Sequence, residues 1–123
     1  MNVVDSSGWL EYFADGKNAA FFAPAVEDAA QLLVPVICIY EVFKIVLQRR
    51  GLSAAHSAIA DMFTGQVIEV DVSLAVSAAR LSAEMKLPMA DSLILAAARA
   101  HSAILWTQDE HLNGLEDVKY ISK

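Results

Sequence analysis

The chain has 123 residues, 56% of them hydrophobic, with 15 acidic side chains against 9 Lys and Arg and a net charge of −6. That length makes one domain with room for a sizeable core. The acidic balance, taken alone, argues against a nucleic-acid binder, less so if several acids form one metal site, and suits a cationic partner. A mean hydropathy of +0.42 is high for a globular domain and predicts apolar surface hidden in a homodimer or against a second protein. Glu41 and Lys44 interrupt the longest apolar region, so no membrane span is expected. Asp5 follows the first residues at once, so no signal peptide is expected either. The single cysteine, Cys38, lies among apolar neighbours and reads as a buried thiol in a cytoplasmic protein.

Met1 to Asp5 reads as a short buried strand, with Ser6-Ser7 capping a helix through Phe13. Asp15-Gly16 breaks that helix. Another is expected over Ala19 to Ala30, irregular at Pro24, before a strand at Leu32–Pro35. Ile37 to Arg50 is a helix apolar almost all round. Its Glu41, Lys44 and Gln48 share one face. The remaining Ile37, Ile39, Tyr40, Val42, Phe43, Ile45, Val46 and Leu47 must then all be buried, in the core or between subunits. Gly51 ends it, and Ser53 is expected to cap the next helix to about Phe63. A strand at Val67–Val70 and a helix from about Ser73 to Lys86 follow. Pro88 then opens a helix without internal Gly or Pro. A strand at Ile104-Leu105-Trp106, a helical turn after Asp109 and a last strand at Val118–Ile121 complete the chain. Strands separated by helices predict a single α/β domain with a parallel sheet covered on both faces.

Four carboxylates stand in apolar company: Asp5 after Val3-Val4, Glu41 amid Ile, Tyr, Val and Phe, Asp91 in the first turn of an apolar helix, and Asp109 just past a strand. A buried charge without a partner is costly, and a shared divalent cation is the most economical relief. Ligands of open parallel sheets bind beyond the carboxyl ends of the strands. Asp5 and Asp109 each follow a strand, and Glu41 and Asp91 occupy early turns of helices entered from that edge, so this topology can bring all four together. Each has a structural alternative. Asp91 can serve the helix dipole, Asp109 can cap the following turn, and Glu41 can pair with Lys44. Asp5 is the hardest to explain as a cap, because Ser6 and Ser7 are available for that work.

Mg²⁺ and Mn²⁺ prefer hard carboxylate oxygens. Such ions activate water and stabilise the leaving oxygen in phosphodiester cleavage. Ser6 and Thr107 supply hydroxyls to orient ligands or water. Competing chemistries have no footing: the chain lacks a Gly-rich phosphate loop, Cys-x-x-Cys, His-x-x-x-His and Gly-x-Ser-x-Gly. His56, His101 and His111 are scattered and read as surface or core residues rather than ligands. A phospho-acceptor domain with Asp5 as nucleophile is disfavoured, because Ser6 rather than a second acid follows Asp5 and no Lys follows Trp106.

Four segments together carry a family resemblance: Val3-Val4-Asp5-Ser6-Ser7, Val36-Ile-Cys-Ile-Tyr-Glu41-Val, Met89-Ala-Asp91-Ser-Leu-Ile-Leu-Ala-Ala-Ala and Leu105-Trp-Thr107-Gln-Asp109. In order and spacing the chain resembles a PIN domain, and specifically the VapC type of toxin nuclease. The resemblance implies a three-layer α/β/α sandwich with a central parallel sheet and Mg²⁺- or Mn²⁺-dependent endoribonuclease activity. It also implies a homodimer and a cognate VapB-like antitoxin. By position, Asp5, Glu41, Asp91 and Asp109 would be the metal-binding and catalytic acids, with Ser6 and Thr107 as supporting polar residues. Where the family often has an aromatic three residues past its last acid, this chain has Leu112. Lys44, Arg49, Arg50, Arg80 and Arg99 are the candidates for contacts to RNA phosphates. The rival reading is a catalytically silent PIN-like module that acts through the apolar helix at Ile37–Leu47.

Overall fold

Five short strands form one parallel sheet in the computed structural model, which describes residues 1–123. They are β1 (Asn2–Val4), β2 (Leu32–Pro35), β3 (Gln66–Ile68), β4 (Ile104–Thr107) and β5 (Val118–Tyr120), in the spatial order β3-β2-β1-β4-β5. Six α-helices connect them: α1 (Ser6–Phe13), α2 (Ala19–Val26), α3 (Val36–Arg50), α4 (Leu52–Met62), α5 (Val72–Met85) and α6 (Met89–Ala100). Val3 lies opposite Leu33 on one side and Leu105 on the other, at the centre of the sheet. Both central strands are near-continuous apolar runs because both their faces are covered.

The chain runs from β1 outward to β3, then returns past β1 to lay down β4 and β5. With right-handed crossovers, that reversal puts the α5–α6 pair on the face opposite α1 to α4, giving the α/β/α sandwich. It also makes the gap between β1 and β4 the switch point of the sheet, where the carboxyl ends leave a crevice. α1 packs closely on its neighbours there. A Cβ at Gly8 would lie 2.7 Å from both Phe22 and Val4, so only glycine lets α1 approach this near.

The elements match the sequence reading in number and kind, and the differences lie at caps and on one helix face. Asp5, not Ser6 or Ser7, is the N-cap of α1, and its side chain accepts from Gly8 N. Gly51, at φ 88°, is the residue before α4, and Ser53 lies inside that helix without capping it. α5 begins at Val72, one residue before the expected start, and Asp71 caps it by accepting from Leu74 N. α2 stops at Val26, and Ala29–Gln31 is a separate 3₁₀ turn. Within the single chain the apolar faces of α3 are not all buried. Only the i, i+4, i+8 stripe of Cys38, Val42 and Val46 is fully covered, while Tyr40 is 62% and Leu47 40% exposed. A single chain of this size covers one side of the helix and leaves the rest to solvent or to another molecule.

Candidate metal centre

Asp5 is the residue at which β1 ends and α1 begins. Its backbone N–H still belongs to the sheet, donating to Trp106 O at 3.1 Å. Its side chain already faces three donors. Oδ1 accepts from Gly8 N at 3.0 Å and from the Ser7 hydroxyl at 2.8 Å, and Oδ2 accepts from the Thr107 hydroxyl at 2.6 Å. A carboxylate has about four acceptor sites, so Asp5 is rigidly held with one direction left open. The Thr107 oxygen in turn accepts from Asp109 N at 2.9 Å. One buried hydroxyl at the end of β4 therefore ties the acid after β1 to the acid after β4.

Asp109 caps the 3₁₀ turn Glu110–Leu112, accepting from His111 N at 2.9 Å. Leu112, the departure from the family's aromatic, is fully buried beneath this turn. Asp91 sits in the first turn of α6, close enough to Asp109 for a ligand atom of each to lie within 4.8 Å. Asp5, Asp91 and Asp109 thus converge at the switch point from three separate elements. Glu41, in the second turn of α3, joins them through Ser6, whose hydroxyl donates to Glu41 Oε1 at 2.6 Å. Lys44 forms no ion pair with Glu41. Beneath them Cys38 is fully buried, with Sγ 3.7 Å from Val4 O; burial, then the Asp5 and Glu41 charges, hold its thiol above the usual range and therefore neutral.

The electrostatics follow from this crowding. Burial pushes Asp5 up to about 6 despite three hydrogen bonds to its charged form, and the Asp109 charge adds to the rise. Asp91 is pushed up to about 7, first by burial and then by the Asp109 and Asp5 charges. Side chains that resist ionisation because they are buried beside like charges are what a cation would relieve, and their hard oxygen donors suit Mg²⁺ or Mn²⁺.

The site also contains residues that sequence reasoning passed over. Ser7, taken as a cap, orients Asp5 instead. His111, taken as surface or core, places Nδ1 2.9 Å from Asp109 Oδ1 and 3.6 Å from Asp91 Oδ2. Only its spacing two residues past Asp109 could have signalled it. Asn18 and Gln108, buried and hydrogen-bonded to each other at 3.0 Å, brace the loop behind Thr107. The basic candidates are not gathered here. Arg49 and Arg50 line a groove between α1, α3 and α4, and Arg80 and Arg99 line a shallow pocket between α5 and α6. Arg99 lies eight residues along α6 from Asp91, about 12 Å away.

A family model described as the PIN domain matches residues 3–118. The chain belongs to the PIN-domain family. PIN domains are typically nucleases and generally use divalent metals. No curated protein matches the chain in sequence. Among solved structures, this PIN domain is similar to a toxin–antitoxin complex from Klebsiella pneumoniae (TM-score 0.82, 20% identity, 97% of this chain and 96% of that one). It is also similar to VapC20 of Mycobacterium tuberculosis, described as a toxin that cleaves the sarcin–ricin loop (TM-score 0.75, 18% identity, 97% and 99%). A third likeness is to VapBC2 from Rickettsia felis bound to a fragment of promoter DNA (TM-score 0.72, 13% identity, 98% and 97%). At these identities the likeness is one of fold. No helix is long and apolar enough to cross a membrane.

Proposed function

We propose that this PIN domain is a Mg²⁺- or Mn²⁺-dependent endoribonuclease and the toxin of a VapBC-type pair. The observation that carries the reading is the convergence of Asp5, Asp91 and Asp109 at the β1/β4 switch point, with Asp5 and Asp91 pushed up to about 6 and 7. Asp5, Asp91, Asp109 and Glu41 would hold the cation, which when bound supplies an activated water and neutralises charge on the scissile phosphate. The chain's own residues do the positioning. Thr107 and Ser7 fix the Asp5 carboxylate, and Ser6 fixes that of Glu41. RNA as substrate is supported by the sarcin–ricin-loop activity of the Mycobacterium protein that shares the fold.

Restraint by a VapB-like antitoxin in the cytoplasm is supported by the antitoxin complexes among the similar structures. The groove between α1, α3 and α4, about 330 Å³, suits that partner, with Leu10, Phe13 and Ile45 lining it beside Arg49, Arg50 and Asp61. An apolar helix face with acidic flanks would fill it. A homodimer is supported by α5, where Val72, Val76, Ala79 and Ala83 form an exposed stripe at i, i+4, i+7 and i+11.

Incubation of the purified protein with a cellular RNA pool and Mn²⁺, beside EDTA and Asp91→Asn controls, tests the activity. Metal-dependent cleavage lost in the variant is expected. A protein that captures its partner but cuts no RNA under any divalent ion would replace this reading with the silent interaction module.

A further inference from the structure

His111 belongs neither to the four acids nor to the hydroxyls that orient them, yet its ring is drawn into their midst. Its backbone N–H completes the turn capped by Asp109, which would leave an exposed side chain free to point anywhere. Instead Nδ1 lies between two carboxylates from different elements, 2.9 Å from Asp109 Oδ1 and 3.6 Å from Asp91 Oδ2. An ordinary surface ion pair engages one acid and contributes little; this ring addresses the acid of its own turn and one from α6, 20 residues away.

The separations have a second meaning. Ligand atoms at adjacent corners of an octahedron, each about 2.1 Å from the ion, lie about 3 Å apart. The Asp91, Asp109 and His111 ligand atoms all fall within 4.8 Å of one another, and both distances to Nδ1 are near that spacing. The donor set that results is two carboxylate oxygens and one imidazole nitrogen. Asp5 and Glu41 are not part of this tightest group.

Resting on the nuclease reading above, we infer that His111 Nδ1 is a direct ligand of the metal centre, together with Asp91 and Asp109, and biases it toward Mn²⁺ over Mg²⁺. Nδ1 would offer its lone pair to the cation with the ring's single proton on Nε2, and the side chain is 58% exposed, so water can reach that N–H. The bias follows from ligand softness: imidazole nitrogen suits first-row transition ions, whereas Mg²⁺ favours an all-oxygen shell.

Pulsed electron paramagnetic resonance of Mn²⁺ bound to the full chain reads this directly, without reference to cleavage. The wild type should show modulation from a coordinated ¹⁴N that changes to the ¹⁵N pattern on histidine labelling and disappears in His111→Ala. Mn²⁺ affinity in that variant should fall by about tenfold or more, with a smaller change for Mg²⁺. Mn²⁺ bound without nitrogen modulation, with binding lost in Asp91→Asn, would overturn the His111 assignment and leave the carboxylate centre standing. Failure of the wild type to bind either ion would overturn both.

Discussion

The carboxyl edge of the sheet and the outer surfaces of α3 and α5 are incomplete in opposite senses. At the sheet edge, Asp5 is 2% and Asp91 9% exposed, and neither has a Lys or Arg to answer its charge. On the helices, Tyr40, Leu47, Val72 and Val76 are 40–81% exposed, with no apolar cover. Buried charge calls for a counter-ion and exposed apolar surface for a partner. The difference extends to rigidity. The polar site is over-determined: three hydrogen bonds hold Asp5, and one hydroxyl ties it to the Asp109 backbone. Nothing in the chain itself directs what lies on the exposed helix faces. A site meant for a small ion must be prepared in advance, whereas an apolar face completes its surroundings only on docking.

The largest effect that tests this contrast is on catalysis. Asp5→Asn and Asp91→Asn should each lower RNA cleavage by about a hundredfold or more, measured at saturating Mn²⁺. Undiminished rates in both would remove the metal centre. Next comes stability, where the two acids should part company. Asp5→Ala loses the cap of α1, about 1 kcal/mol, and strands the buried Thr107 hydroxyl, so the total cost is about 2 kcal/mol. Asp5→Asn retains the oxygen that caps Gly8 and should cost less. Asp91→Asn relieves repulsion and should stabilise the metal-stripped protein; urea titrations order the three.

Burial, reinforced by that repulsion, fixes the sign of a pH dependence. Asp5 and Asp91 rise from 3.8 to about 6 and about 7, so between those limits the folded chain holds more protons than the unfolded one. The slope of stability against pH is then negative. In the metal-stripped protein the contribution is full below about pH 4, is lost as pH rises through 6 and 7, and is flat beyond. Unfolding midpoints from pH 4 to 8 should fall accordingly, and saturating Mn²⁺ should flatten or reverse the trend. A rise in the metal-stripped protein would contradict the buried, uncompensated state of these acids. The smallest effect on cleavage belongs to the helix surface. Val76→Asp should leave the sheet edge undisturbed, within about 0.5 kcal/mol of stability, while shifting sedimentation from dimer to monomer. An unchanged dimer would place the interface elsewhere.

The fold was legible because its signals are local. Val3-Val4, Leu32-Leu33-Val34 and Leu105-Trp106 are apolar runs that only a sheet covered on both sides can use, and the helical segments between them compel parallel pairing. Caps were harder to read: Ser6 and Ser53 are good capping residues by type, yet the chain turns into those helices at Asp5 and Gly51. The acids could be picked out singly because each interrupts an apolar run. Their hydrogen-bond partners could not, since Thr107 lies 102 residues from Asp5 and Ser6 lies 35 from Glu41. His111 gave only its spacing two residues past Asp109, because one imidazole on a polar turn looks the same whether it faces water or two carboxylates.

By itself the sequence determined which elements form and which carboxylates are out of place, because hydrophobic periodicity and the cost of a buried charge act within a few residues. Only the tertiary structure decided that Asp5 is at once a helix cap and a candidate ligand, that His111 joins Asp91 and Asp109, and that α3 buries one stripe while leaving Tyr40 and Leu47 in the open. Those outcomes depend on which distant surfaces meet, and the parallel pairing of β1 with β4 at the switch point brings them together.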